Sequence, residues 1–78
     1  METERICVIG IVQGVGFRPF VSRLAHSCHI RGTVCNKGSY VEIIIQGSKS
    51  AKEQFVNYLP RKAPARSAIF KIMTEQTD

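Results

Sequence analysis

Within nine residues, "VQGVGFRPF" at positions 12–20, this chain stops reading as a strand and starts reading as a helix. Before the switch, residues 5–12 are rich in β-branched side chains and alternate poorly, as expected of a central strand with two largely covered faces. After it, Phe20, Val21, Leu24, Ala25 and Cys28 recur at helical spacing, and Pro19 suits the first turn of a helix that ends near His29. Two glycines one residue apart form the joint. A chain of 78 residues has room for one small core, so both elements must pack into it together.

The remaining elements follow from breaks in the pattern. Gly32 interrupts it, and residues 30–36 followed by 40–46 read as a hairpin around "NKGS". "SAKE" at 50–53 has capping-box spacing, and Ala51, Phe55, Val56 and Leu59 then make one apolar stripe that Pro60 stops. After the turn-prone "PRKAPAR", residues 67–73 supply a fourth strand with a polar tail behind it. The order β-α-β-β-α-β predicts an α+β, ferredoxin-like fold: one domain over residues 1–78, an antiparallel sheet and two helices on one of its faces. In that topology the first two strands are parallel with the third between them, so Val12 and Asn36 end at one sheet edge. Val34 is expected to face the helices, and Asn36, two residues on, therefore points to the side of the loop.

A net charge of +5 favours an anionic partner, either a nucleic acid or a small phosphorylated substrate. The start "METERICVIGIV" has acidic residues where a signal peptide is basic, and its apolar run is too short for a bilayer, so a soluble cytoplasmic protein without membrane association is expected. Cys7, Cys28 and Cys35 lack C-x-x-C spacing and read as three reduced thiols.

The joint between strand and helix carries the chemistry. A helix N-terminus presents backbone N–H groups with no intrahelical partner, and the helix dipole adds partial positive charge. Gly14 and Gly16 allow successive amides to converge on an oxyanion, and Arg18 adds a planar fork for two of its oxygens. The plainer reading, in which "GVG" is only a tight turn and Arg18 a solvated residue, stays open on pattern alone. A Rossmann site lacks its third glycine here, and a P-loop lacks its Gly-Lys-Ser/Thr.

"GIVQGVGFR" at 10–18, "GTVCN" at 32–36 and "VEIIIQG" at 41–47 resemble the acylphosphatase family across most of the chain. The longer run "VQGVGFRPFVSRLA" looks most like the acylphosphatase-like N-terminal domains of hydrogenase-maturation carbamoyltransferases. The resemblance implies hydrolysis of an acyl phosphate to a carboxylate and phosphate, with no metal or cofactor; carbamoyl phosphate is one such substrate. It implies that Arg18 binds the phosphate, that Asn36 holds the attacking water, and that the amides of Gln13, Gly14, Val15, Gly16, Phe17 and Arg18 form the phosphate loop, open to phosphate or sulfate. It also implies a fifth strand, for which these 78 residues leave no segment.

Two other classes compete. A docking or carbamoyl-phosphate-binding domain of a maturation carbamoyltransferase would use the open sheet face, where Cys7, Ile9, Ile11 and Ile44 are expected to form an apolar patch. An RNA-binding module of this fold stacks bases on aromatics of its central strands, and "ICVIGIV" has none. His26 and His29 lie three apart but lack further ligands for a metal site. Arg61, Lys62 and Arg66 read as a solvated basic cluster.

Overall fold

The computed structural model describes residues 2–77, in the order β1 (Glu2–Ile11), α1 (Phe17–Ser27), β2 (Arg31–Asn36), β3 (Val41–Gly47), α2 (Lys49–Arg61) and β4 (Ala68–Gln76). The four strands form one sheet in the order β2-β3-β1-β4, with every neighbouring pair antiparallel. This is the expected ferredoxin-like topology, with β1 and β2 parallel on either side of β3. Ile6 and Val8 of β1 and Val41, Ile43 and Ile45 of β3 are buried on one face. They pack against Phe17, Phe20, Val21 and Leu24 of α1 and Phe55 and Leu59 of α2.

The helix boundaries differ from expectation for identifiable reasons. α1 begins at Phe17, two residues before Pro19, because Gly16 takes a left-handed conformation (φ 78°, ψ 20°) that starts the helix with no side-chain cap. Pro19 still lies in the first turn, where a missing N–H removes no intrahelical bond. α2 begins at Lys49, because Ser48 is its cap: the Ala51 N–H donates to Ser48 Oγ at 3.2 Å. The cap is thus Ser48 and not Ser50. Pro60 does not stop α2 but sits in its last turn, and the Lys62 N–H closes the helix onto the Tyr58 carbonyl at 2.9 Å. The buried stripe of α2 runs through Lys52, Phe55 and Leu59, while Ala51 and Val56 flank it half-buried.

β4 extends past Met73, because Thr74, Glu75 and Gln76 pair with Ile6, Arg5 and Glu4. Most of the expected polar tail is therefore edge strand; Asp78 lies outside the described residues. A bulge opposite Ile9 and Gly10 sets Phe70 outside the regular pairing, and Phe70 is 71% exposed.

The open face carries an ionic cluster beside the apolar residues expected there, of which Cys7 is buried, Ile9 and Ile44 are half-buried and Ile11 is exposed. Arg5 Nε donates to Glu42 Oε2 at 2.6 Å, Lys37 Nζ stands 3.8 Å from Glu42 Oε1, and Arg5 Nη1 stands 3.6 Å from Glu75 Oε1. The hydrogen bond from Arg5 holds the Glu42 carboxyl below its ordinary value, and the same bond raises Arg5. Cys7, whose cross-strand neighbours are Glu42 and Met73, is buried, so this ionic cluster divides the face.

α1 closes in a Schellman arrangement, in which the His29 N–H donates to the His26 carbonyl at 3.2 Å and the Ile30 N–H to the Ala25 carbonyl at 2.8 Å. His29 holds the left-handed position, φ 58°, that glycine ordinarily takes there. The left-handed conformation costs an L-residue roughly 1–2 kcal/mol, part of which glycine's greater unfolded-state freedom offsets. His29→Gly is therefore expected to stabilise the fold by about 0.5–1 kcal/mol, a rise in Tm of roughly 2–8 °C for a chain this size. A thermal melt decides it: an unchanged or lower Tm would show that His29 is unstrained.

Candidate active site

The joint between β1 and α1 is anchored at both ends. Val12 is 2% and Phe17 1% exposed, and the Phe17 ring packs at a tilt on Phe20 with centroids 5.6 Å apart. Between them the backbone turns through Gly14 (φ 71°) and Gly16 (φ 78°), both left-handed. Nothing lies within 4 Å of where a Cβ would stand on either glycine. The glycines are therefore required by backbone angle, not by crowding.

The first regular bond of α1 runs from the Phe20 N–H to the Gly16 carbonyl at 3.2 Å. The amides of Phe17 and Arg18 precede it, and Pro19 has none, so the unpaired donors gather on the loop side of the helix end. With the left-handed glycines before them they form a concave set of N–H groups at the positive end of the α1 dipole.

A small concavity of about 130 Å³ lies here, lined by Val12, Gln13, Gly14, Gly16, Phe17, Arg18, Pro19, Asn36 and Val41. It brings Arg18 and Asn36 together with the loop, although Asn36 is eighteen positions further along the chain. Register explains this: Val41 of β3 pairs with Val8 of β1 on one side and with Asn36 of β2 on the other, and β1 runs on past that row to the loop. Val34 packs against the core, as its parity with Asn36 requires. Of the six loop residues expected to bind phosphate, only Val15 does not line the concavity; its side chain packs against the core.

The lining contains one ionisable side chain, Arg18, which is exposed and takes part in none of the ion pairs among the described residues. A solvated guanidinium beside a helix N-terminus is an arrangement suited to an oxyanion. Two side-chain bonds then join the loop to the hairpin. Asn36 Oδ1 accepts from the Gly38 N–H at 2.8 Å, and Gln13 Nε2 donates to the Gly38 carbonyl. Neither bond was legible in the sequence, where Gln13 counts only as a backbone donor and Gly38 only as a turn residue. A wider groove of about 780 Å³ lies at the far end of the sheet, between the start of β2 and α2.

The profile of the acylphosphatase family matches residues 4–78. The chain belongs to the acylphosphatase family. It is 40% identical to the acylphosphatase of Staphylococcus haemolyticus, over all of this chain and 88% of that one. It is also 51% identical, over 92% of its length, to a probable carbamoyltransferase HypF of Methanocaldococcus jannaschii, of which it spans only 9%. The crystal structure of the Bacillus subtilis acylphosphatase superposes with a TM-score of 0.90 at 33% identity, covering 99% of this chain and 86% of that one.

His26 and His29 acquire no further ligands: no group of three or more His, Cys, Asp or Glu residues able to hold a metal occurs among the described residues. Nor is any helix there long and apolar enough to cross a membrane.

Amides and a guanidinium do not distinguish strongly between tetrahedral oxyanions, so phosphate and sulfate are expected to compete for this concavity. In a chemical-shift titration, inorganic phosphate should move the amides of residues 14–18 first. Shifts elsewhere with those amides unmoved would place the anion site at another position.

Proposed function

We propose that this acylphosphatase-family hydrolase binds the phosphoryl group of an acyl phosphate on the amides of residues 13–18 and on Arg18, while Asn36 orients the attacking water. The observation that carries the reading is the composition of the concavity: the backbone of the glycine loop, one arginine outside the ion pairs and the primary amides of Gln13 and Asn36, with no acid, base or nucleophile among its lining residues.

The chemistry asks for no more. Water oxygen attacks phosphorus in line, the bond from phosphorus to the acyl oxygen breaks, and its electron pair leaves on a carboxylate. A carboxylic acid titrates near ~4, so this leaving group departs as an anion at neutral pH and needs no protein acid. The proton of the water passes to a phosphoryl oxygen of the substrate. What remains for the protein is positioning and charge stabilisation, which the loop and Arg18 supply.

Asn36 has its oxygen occupied by the Gly38 N–H, which leaves Nδ2 as the donor available to the concavity it lines. A water that accepts one hydrogen bond from Nδ2 keeps its other lone pair for phosphorus. The concavity is far smaller than the roughly 300 Å³ of sites that enclose whole small ligands. It therefore holds the phosphoryl end, and the acyl group extends outside.

A second reading is favoured by the identity to HypF, of which this chain matches a small part: a domain that binds carbamoyl phosphate, or docks, within a carbamoyltransferase active in hydrogenase maturation in the cytoplasm. Phosphate release from acetyl phosphate and carbamoyl phosphate separates the two. Turnover supports the hydrolase, and inactivity with intact phosphate binding supports the binding domain.

Arg18→Lys keeps the charge but loses the fork that grips two oxygens. Its kcat/KM is expected to fall by a factor on the order of 10², with stability within about 0.5 kcal/mol because Arg18 is exposed. Hydrolysis near the wild-type rate would rule out a bidentate clamp. Asn36→Ala is expected to lower kcat by ~10² or more and leave phosphate affinity nearly unchanged, since the lost contact is to water and not to the anion. Parallel loss of affinity and rate would make Asn36 a phosphate ligand.

A further inference from the structure

We propose that the Gln13 side chain is a positioning group that holds Asn36 in place through Gly38, so that the water-orienting amide and the phosphate loop move as one unit. This rests on the reading of Asn36 given above.

Gln13 belongs to the loop after β1, Gly38 to the turn between β2 and β3, and Asn36 to the end of β2, which β3 separates from β1. Gly38 meets both partners with its own backbone: its carbonyl accepts from Gln13 Nε2, and its N–H donates to Asn36 Oδ1. A backbone carbonyl only accepts and a backbone N–H only donates, so the orientation of each side-chain amide is set by chemistry. Gly38 adopts φ 91°, in the region that L side chains rarely enter. The turn around it is closed by the Lys37 N–H donating to the Tyr40 carbonyl at 2.9 Å.

Both amide bonds lie at exposed residues, where water competes for each partner and the net contribution to folding is small. Their effect is geometric. The loop is anchored through Val12 and Phe17, whereas Asn36 stands at the end of an edge strand, so the link is what fixes the asparagine relative to the loop. A displacement of about 1 Å between reacting groups costs on the order of 10² in rate.

The test is Gln13→Ala, which removes the side-chain donor and leaves the backbone amide of residue 13. The expected result is a kcat lowered roughly tenfold to a hundredfold, with an unchanged melting curve and the affinity for inorganic phosphate within about twofold of wild type. In an Asn36→Ala background the same substitution should have no further effect, because its route to the reaction is already gone. A loss that multiplies in that background, or an equal loss of phosphate affinity, would overturn the proposal.

The side-chain couplings of Asn36 supply a readout without turnover. They should report one χ1 rotamer in the unmodified chain and averaging in Gln13→Ala; couplings that stay fixed would overturn the tether whatever the rates do. Rotamer averaging in a chain whose unmodified form hydrolyses no acyl phosphate would leave the tether standing and overturn the hydrolase reading instead.

Discussion

The burial of Val12 and Phe17 is the constraint on which the site depends. Fully burying side chains of this kind stabilises the fold by about 1.5–3 kcal/mol each, so neither end of the loop leaves the core without a loss comparable to a sizeable fraction of a small domain's stability. Residues 13–16 connect them, and the backbone turns there through left-handed angles at Gly14 and Gly16. The donors that result are backbone N–H groups, whose directions are set once the backbone is set. Pre-organisation of the proposed oxyanion site is therefore a by-product of packing.

The second half of the site comes from strand order. Val41 is fully buried, lines the concavity, and pairs across the sheet with Val8 and with Asn36. One residue of β3 thus ties the strand that leads into the loop to the strand that ends at the asparagine. A one-residue slip of β2 against β3 would turn Asn36 to the opposite face and bring Val34 out of the core. The apolar pattern that stabilises the sheet is the same pattern that aims the amide.

Much of this was legible in the sequence because it rests on periodicity. The change of period at residues 12–20 placed the loop, and the parity of Val34 and Asn36 placed the asparagine beside it. What escaped depends on local geometry that no period encodes. Ser48, not Ser50, caps α2, because two serines at nearby positions offer the same chemistry and only the backbone path selects one. His29 stands in a left-handed position with nothing in its residue type to announce it. The ionic cluster of Arg5, Lys37, Glu42 and Glu75 joins three segments, and its members look like ordinary surface charges when each is read alone. Gln13 and Gly38 meet across 25 positions through one side chain and one carbonyl, a contact specified by the turn rather than by composition.

A concavity of about 130 Å³ has room for roughly four waters, and in the proposed reading it takes the phosphoryl group alone. In that reading its donors address oxygens that every acyl phosphate carries, and the acyl group lies beyond its lining. Discrimination must then come from outside the loop, from whatever borders its mouth. That separation explains how one module serves chains of very different length. In a relative of nearly the same size the mouth meets solvent or that chain's own few further residues; in a relative of which the module is 9%, hundreds of other residues are available to border it. If the loop grips the phosphoryl group as proposed, the cradle needs no redesign in either setting, because that part of the substrate does not change.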